Sequence, residues 1–192
     1  MRGSSTCRWA AFPVLSEYLR YGEIRPGFID GLWDVVHGDA IRSGTLSQTE
    51  TLAFMSRLAT NLCNPINASA IAQNVGLRDN ERVNDRIHDL VTGFLAWRCY
   101  KAQEGEVPNT AAQRKVYFVD PLIAQLPHRR NVAFPVPDQT RLSEQQLGLA
   151  LNRAVSLDRP SAFVDSDRVM YVRFQKNSEV DFLGPEFGIP FD

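Results

Sequence analysis

The sequence predicts an α+β fold, in which helices fill the first half of the chain and strands appear after about residue 94. Three observations indicate this class. Apolar residues recur at helical spacing in several early segments, short β-branched and aromatic runs follow them, and glycine or polar turns separate these segments. With 192 residues, of which 44% are hydrophobic and 22% charged, the chain has the composition of an ordinary globular protein.

The charge balance and the cysteine content limit the expected partners and cellular compartment of the protein. The formal net charge of −1 gives no overall attraction to nucleic acid or to a membrane surface, so a contact with either requires a local patch. Cys7, Cys63 and Cys99 are too few and too widely spaced for a disulfide framework or a CxxC metal pair. No apolar run follows the basic N-terminus, and none approaches the ~20 residues needed to span a bilayer. We therefore expect a cytoplasmic protein without membrane contact.

The N-terminal segments are predicted to be helical. Residues 12–22 carry apolar side chains at helical spacing, and Pro26 opens a second helix. The apolar face of this second helix is formed by Phe28, Ile29, Leu32, Val35 and Val36. After a short interruption, Ser47 is expected to cap a third helix, and Glu50, three residues later, completes a capping box.

Residues 45–126 are predicted to form a winged helix-turn-helix domain. The predicted elements are, in order, helices over residues 68–75 and 80–94 and strands over residues 94–100 and 115–119. Gly76 is expected to end the first of these helices, and a polar turn over residues 103–113 separates the strands. The apolar stripe of the longer helix comprises Val83, Ile87, Leu90, Val91 and Phe94. This order of elements is typical of a winged helix, and an arbitrary helical bundle with an unrelated hairpin is the alternative.

The remainder of the chain is predicted to be a linker followed by a helix and strands. Residues 127–141 contain three prolines and the basic run over residues 128–130, a composition that indicates a linker or an irregular crossover. Residues 142–157 have the periodicity of a helix. The predicted strands cover residues 161–165, 169–174, 179–183 and 188–192.

Four phrases in the sequence are similar to motifs of one family. They are residues 17–22 (EYLRYG), 66–72 (INASAIA), 115–121 (KVYFVDP) and 179–182 (EVDF). In this order they resemble the C-terminal region of bacterial and archaeal AAA-type ATPases. Two departures lie at turns. Glu23 and Arg25 stand where the first motif has a second glycine and a proline, and Leu122 follows Pro121 directly where the family has a glycine.

The resemblance implies a layout for the whole chain. Residues 1–44 would be a helical linker from an ATPase motor that lies outside this chain, and the winged helix at residues 45–126 would follow it. After the linker at residues 127–141, residues 142–192 would begin a truncated α/β domain similar to the PD-(D/E)xK, or restriction-endonuclease-like, fold. No GxxxxGK[ST] phosphate loop occurs in the sequence, so ATP would bind only in the motor. We expect no enzymatic activity from this fragment.

Duplex DNA is one possible partner of the predicted winged helix. The second helix of this fold enters the major groove and the hairpin contacts the backbone, so the candidate DNA contacts are Arg82, Asn84, Arg86 and Lys115. The predicted exposed face of the same helix also carries acidic residues, namely Glu81, Asp85 and Asp89. Residues 45–125 contain eight basic and eight acidic side chains, a balance that is poor for the counterion release on which DNA binding depends. Docking on the ATPase motor or on a cognate protein, without nucleic acid, is the alternative.

The resemblance also implies an incomplete metal site. PD-(D/E)xK enzymes hold a divalent cation with carboxylates on adjacent strands, and a lysine orients the attacking water. Asp181 corresponds to the first motif carboxylate, and residues 189–192 (IPFD) resemble the phrase before the family's lysine, which makes Asp192 the second. Glu144 is a third acidic candidate. Because the lysine would lie two residues beyond Asp192, we expect no cofactor in this fragment and Mg²⁺ only in the intact nuclease-like domain.

These observations favour a recognition or regulatory region of an AAA-type ATPase, with a winged helix that contacts DNA. A protein-interaction module without a nucleic-acid role is the second hypothesis. A metal-dependent nuclease, active only in the intact protein, is the third.

Overall fold

A computed structural model describes residues 26–40, 46–104, 107–156, 165–174 and 178–184. Within these residues it contains six helices and a mixed sheet, which confirms the predicted α+β class. The helices are α1 (Pro26–Ala40), α2 (Gln48–Thr60), α3 (Ala68–Val75), α4 (Asn80–Thr92), α5 (Pro121–Arg130) and α6 (Gln139–Val155). The strands are β1 (Ala96–Gln103), β2 (Val107–Asn109), β3 (Lys115–Phe118), β4 (Asp165–Arg173) and β5 (Glu179–Leu183). The helix predicted at residues 12–22 and the strand predicted at residues 188–192 lie outside the described residues.

Side-chain caps define where α2 and α3 begin. The Ser47 hydroxyl accepts a hydrogen bond from the Glu50 N–H at 3.2 Å, and the Glu50 carboxylate accepts one from the Ser47 N–H at 2.8 Å, so the predicted capping box is present. Asn67 caps α3, and Gly76 ends it at a φ of +75°, the left-handed conformation that glycine adopts without strain. None of the helices in the described residues is long and apolar enough to cross a membrane.

The five strands form one curled sheet around β1. Strands β2 and β3 pair antiparallel with successive parts of one edge of β1, whereas β4 pairs parallel with its other edge and β5 antiparallel with β4. In the β1–β3 ladder, Trp97 lies opposite Tyr117 and Cys99 lies opposite Lys115. The register of β1 against β4 shifts after Cys99, and such irregularities bend strands.

One core cluster joins the helices to the sheet. It includes Val36 of α1, Phe54 of α2, Ile87 of α4, Trp97 of β1 and Leu149 of α6. Residues 142–192 were predicted to begin a separate domain. In the structure, β4 and β5 belong to the same sheet as β1, and α6 and β4 contribute to the same core as α3 and α4.

Two predicted boundaries in the central region are wrong. Helix α4 ends at Thr92, so Phe94, expected in its apolar stripe, lies beyond the helix with 59% of its surface exposed. A local capping bond ends the helix, because Leu95 donates its N–H to the Leu90 carbonyl while Phe94 adopts a left-handed φ of +58° and the chain turns into β1. The polar turn expected over residues 103–113 contains β2, which pairs with the end of β1.

The segment predicted as a linker is also different. Helix α5 continues to Arg130 and α6 starts at Gln139, so residues 131–138 alone connect them. Pro121 favours the first turn of α5, where its missing N–H costs nothing, and Asp120 caps that turn by accepting a hydrogen bond from Leu122 N–H. Strand β4 begins at Asp165 and merges the two strands that the sequence separated, and residues 161–164 lie outside the described residues.

Candidate functional site

A polar groove of about 320 Å³ lies between helices α3 and α4 and the loop that precedes β3. Asn67 and Ser69 line it at the start of α3, and Asn80 and Asn84 line it on the first turns of α4. The loop over residues 110–114 closes the opposite side. The groove therefore brings together three segments that only the fold makes neighbours.

The electrostatic character of the groove comes from Arg114 and from two helix starts. Arg114 donates from Nη2 to Oδ1 of Asn84 at 2.8 Å, and its carbonyl accepts the N–H of Ile66 at 2.8 Å. The first N–H groups of a helix have no intrahelical partner and lie at the positive end of its dipole. Asn67 accepts one of these groups in α3, from Ala70, and the Asp79 carboxylate accepts one in α4, from Arg82. None of the described residues that line the groove is acidic. This combination suits an anionic group.

The structure separates the four predicted DNA contacts into two pairs. Arg82 is exposed on α4, and Asn84 lies in the groove. Arg86, expected on the exposed face, is only 4% exposed and forms an ion pair with the buried Asp89 at 3.4 Å. Helix α4 packs against α1, α3 and β1, and this widens its buried face beyond the apolar stripe. Lys115 is fully buried, so neither it nor Arg86 is presented to a duplex.

Lys115 is the centre of a second site, which we call the Lys115 cluster and which also comprises Glu144, Glu179 and Asp181. The Lys115 Nζ lies 2.5 Å from Oε1 of Glu179, 2.8 Å from Oδ1 of Asp181 and 3.7 Å from Oε1 of Glu144. Tyr117 donates its hydroxyl to the same Glu144 oxygen at 2.8 Å. The cluster thus connects β3 with α6 and β5 through charged side chains.

The surroundings of Lys115 favour its charged form. Burial acts to lower the pKa of Lys115, but the hydrogen bonds to Asp181 and Glu179 and the charge of Glu144 outweigh it, so the pKa is raised. Burial also raises the pKa of the neighbouring Tyr171 to about 12.

The nearby thiols are held neutral as well. Burial is the main cause that raises the pKa of Cys63 and of Cys99 above the ordinary value. A neutral buried thiol is a poor nucleophile, so these two cysteines fit structural roles rather than chemical ones.

The Lys115 cluster unites two of the three predicted metal ligands. Glu144 and Asp181 both lie close to the Lys115 Nζ, at 3.7 and 2.8 Å, whereas Asp192 is outside the described residues. The Lys115 ammonium group occupies the space between the carboxylates that would have to converge on a metal ion. Within the described part of the chain, no group of three or more His, Cys, Asp or Glu residues could hold a metal. The described residues therefore do not fit Mg²⁺, and its binding by the intact nuclease-like domain stays a prediction.

Comparisons with known proteins do not indicate a function for these two sites. No family model, no curated protein and no solved structure matches the chain. The groove and the Lys115 cluster are two places where the described residues bring together charged and polar groups from distant parts of the sequence.

Proposed function

We propose that the chain is a recognition region of an AAA-type ATPase, in which a winged helix contacts the phosphate backbone of duplex DNA through the groove. The observation that carries this proposal is the lining of the groove, where Arg114 meets polar side chains from the first turns of α3 and α4. Asp79 and Glu81, at the start of α4, are not among the described residues that line it. The order of α2–α4 and β1–β3 supports a winged helix. The resemblance of residues 66–72 and 115–121 to the ATPase family supports the wider context.

The charges on α4 favour contact with the backbone over the reading of bases. Its exposed surface carries Glu81 and Asp85 beside Arg82, and Arg86 is withdrawn into the interior. Phosphate contacts position a protein on a duplex but carry no sequence information directly. The proposed binding is therefore weak, sensitive to salt and largely independent of sequence.

Salt-dependent binding of a labelled duplex tests the proposal directly. Fluorescence anisotropy should show an affinity that falls steeply between roughly 50 and 200 mM salt, because bound phosphates release counterions. Arg114→Gln should weaken binding for all sequences alike and reduce the slope of log affinity against log salt by about one.

Arg129→Gln is the matched control for this substitution. It removes the same charge from an exposed position on α5, a helix that does not line the groove. Equal effects of the two substitutions would mean that net charge alone drives binding. An absence of duplex binding at low salt would end the DNA proposal.

Docking on the ATPase motor or on a cognate protein is the second candidate, and the mixed charges of α4 favour it. Glu81, Arg82 and Asp85 are exposed within two turns of one helix, a pattern that suits a protein surface of complementary charge. The test is binding of the chain to the motor region of the parent protein. If the double variant Glu81→Lys, Asp85→Lys abolishes this binding and Arg114→Gln retains it, this candidate replaces the first.

A further inference from the structure

The wall of the groove is fixed from behind by the second half of the chain. Gln113 and Arg114 line the groove, and the next residue, Lys115, is turned into the interior. Tyr171 of β4 donates its hydroxyl to the Gln113 carbonyl at 2.6 Å. Its ring centroid also lies 5.2 Å from the Lys115 Nζ. One buried tyrosine therefore contacts the residues on both sides of Arg114.

Other restraints act on this segment from several sides: Asn109 accepts the N–H groups of Ala111 and Ala112, and β1 pairs with Lys115. Ile66 donates its N–H to the Arg114 carbonyl, and the guanidinium of Arg114 donates to Asn84. These bonds hold Arg114 only if the backbone on either side of it is also held. Tyr171 supplies that restraint at Gln113, and the Lys115 cluster supplies it at the start of β3.

We infer that Tyr171 is a positioning residue for the groove, and that it acts by holding Gln113 so that Arg114 faces an anionic ligand. Through Tyr171, the region that follows residue 142 sets the geometry of a site formed by the helix-turn-helix and the loop before β3. The inference rests on the proposed function, because the position of Arg114 matters for binding only if the groove takes a phosphate group.

A pair of Tyr→Phe substitutions tests this role. Tyr171→Phe removes only the hydroxyl that holds Gln113. Tyr117→Phe, on β3, removes the hydroxyl that is bonded to Glu144 and leaves the closer contacts of Lys115 with Glu179 and Asp181 in place. We expect Tyr171→Phe to lower the affinity for the labelled duplex about fivefold, as the loss of one hydrogen bond would, and to reduce the salt slope as Arg114→Gln does. Tyr117→Phe should change neither by more than about twofold, although both variants lose a buried hydrogen bond. Equal losses of affinity in the two variants would overturn the inference.

A measurement without ligand separates this inference from the proposed function. In NMR spectra of the full chain, the side-chain signals of Arg114 Nε and Asn84 Nδ2 should shift in Tyr171→Phe and stay in place in Tyr117→Phe. If the signals shift but the wild-type protein binds no duplex, the proposed function fails and the positioning role stands. If the Arg114 signal is unchanged in Tyr171→Phe, the positioning role is wrong whatever the duplex does.

Discussion

Lys115 carries a positive charge although none of its side-chain surface is exposed. A single buried charge would be very costly, and the cost is offset here by Glu179 and Asp181 within hydrogen-bond distance and by Glu144 slightly farther away. Two of the carboxylates have a further partner, because Tyr117 donates to Glu144 and Arg173 Nε lies 3.3 Å from Oε2 of Glu179. Asp181 is 47% exposed, whereas Glu179 and Glu144 retain much less contact with water.

We predict that Lys115→Met destabilises the protein by about 3–5 kcal/mol, because it leaves partly buried carboxylates without their cation. Urea unfolding of the wild-type and variant proteins at neutral pH measures this loss. Lys101→Met is the matched control, since Lys101 lies half-buried on β1 and has no part in the Lys115 cluster. We expect a change within about 1 kcal/mol there. Similar losses in both variants would show that the cluster does not stabilise the fold.

The pH dependence of stability gives a second measurement of the contribution of Lys115 to the free energy of unfolding. Because the pKa of Lys115 is raised above its ordinary value of 10.5, the contribution is complete below that pH and is lost as the pH rises through the folded-state pKa. The difference in stability between wild type and Lys115→Met should therefore be constant near neutral pH and narrow at strongly alkaline pH.

At the residue scale, the sequence could indicate which side chains are polar but not which of them are buried. Arg82 and Asn84 lie where the helical periodicity places them, whereas Arg86 and Lys115 do not. The acidic partners of Lys115 lie on α6 and β5, far along the chain, and only the tertiary fold brings them together. The sequence did contain one indication that Lys115 is buried, because the apolar run after it is typical of a strand buried on both faces.

At the scale of elements, the contact between α6 and β5 depends on one glycine. A Cβ placed on Gly148 would lie 2.3 and 2.4 Å from two ring carbons of Phe182. The ring also packs beside Tyr117, with the centroids 5.6 Å apart, and beside Trp97 at 6.5 Å. Phe182 is therefore confined between α6 and two other aromatic rings.

We predict that Gly148→Ala destabilises the protein by about 1–3 kcal/mol, because the added methyl group forces the Phe182 ring from its place. Gly31→Ala provides the control, since it makes the same change within α1 where no atom lies within 4 Å of the new Cβ. There, alanine should raise stability by roughly 0.5–1 kcal/mol through its better helix propensity. Thermal or urea unfolding measures both, and equal signs for the two variants would contradict the packing argument.

The caps were the most predictable feature of the elements. Ser47, Glu50 and Gly76 act through their own neighbours in the sequence, so local reasoning identified the start of α2 and the end of α3. Helix α5 was missed because Pro127 lies inside it, and a proline within a helix is ordinarily a sign of its end. Burial of the apolar side chains of α5 against α2 overrides that local preference.

At the scale of the whole molecule, the sheet is what the sequence could least foretell. Strand β1 pairs with β4 in parallel, with Arg98 opposite Asp165, and no local pattern specifies a partner so distant along the chain. The α+β class, the helices α1–α4 and α6 and the strand β5 follow from periodicity and are confirmed, whereas α5 was not predicted. The winged-helix interpretation and the division into a DNA-contacting domain and a nuclease-like domain stay predictions.

The continuous sheet leads to a prediction about cooperativity. Because β1 pairs with both β3 and β4, and because one core includes residues from α1 to β4, we expect the described region to unfold in a single transition. Urea unfolding followed by far-UV circular dichroism and by tryptophan fluorescence should give coincident curves. Amide hydrogen exchange should give β1 and β4 the same free energy of opening, since neither strand can separate without breaking their shared ladder. If α6, β4 and β5 instead opened at a lower free energy while α2–α4 stayed protected, the helix-turn-helix would be an independent domain and the boundary predicted at residues 127–141 would be a real one.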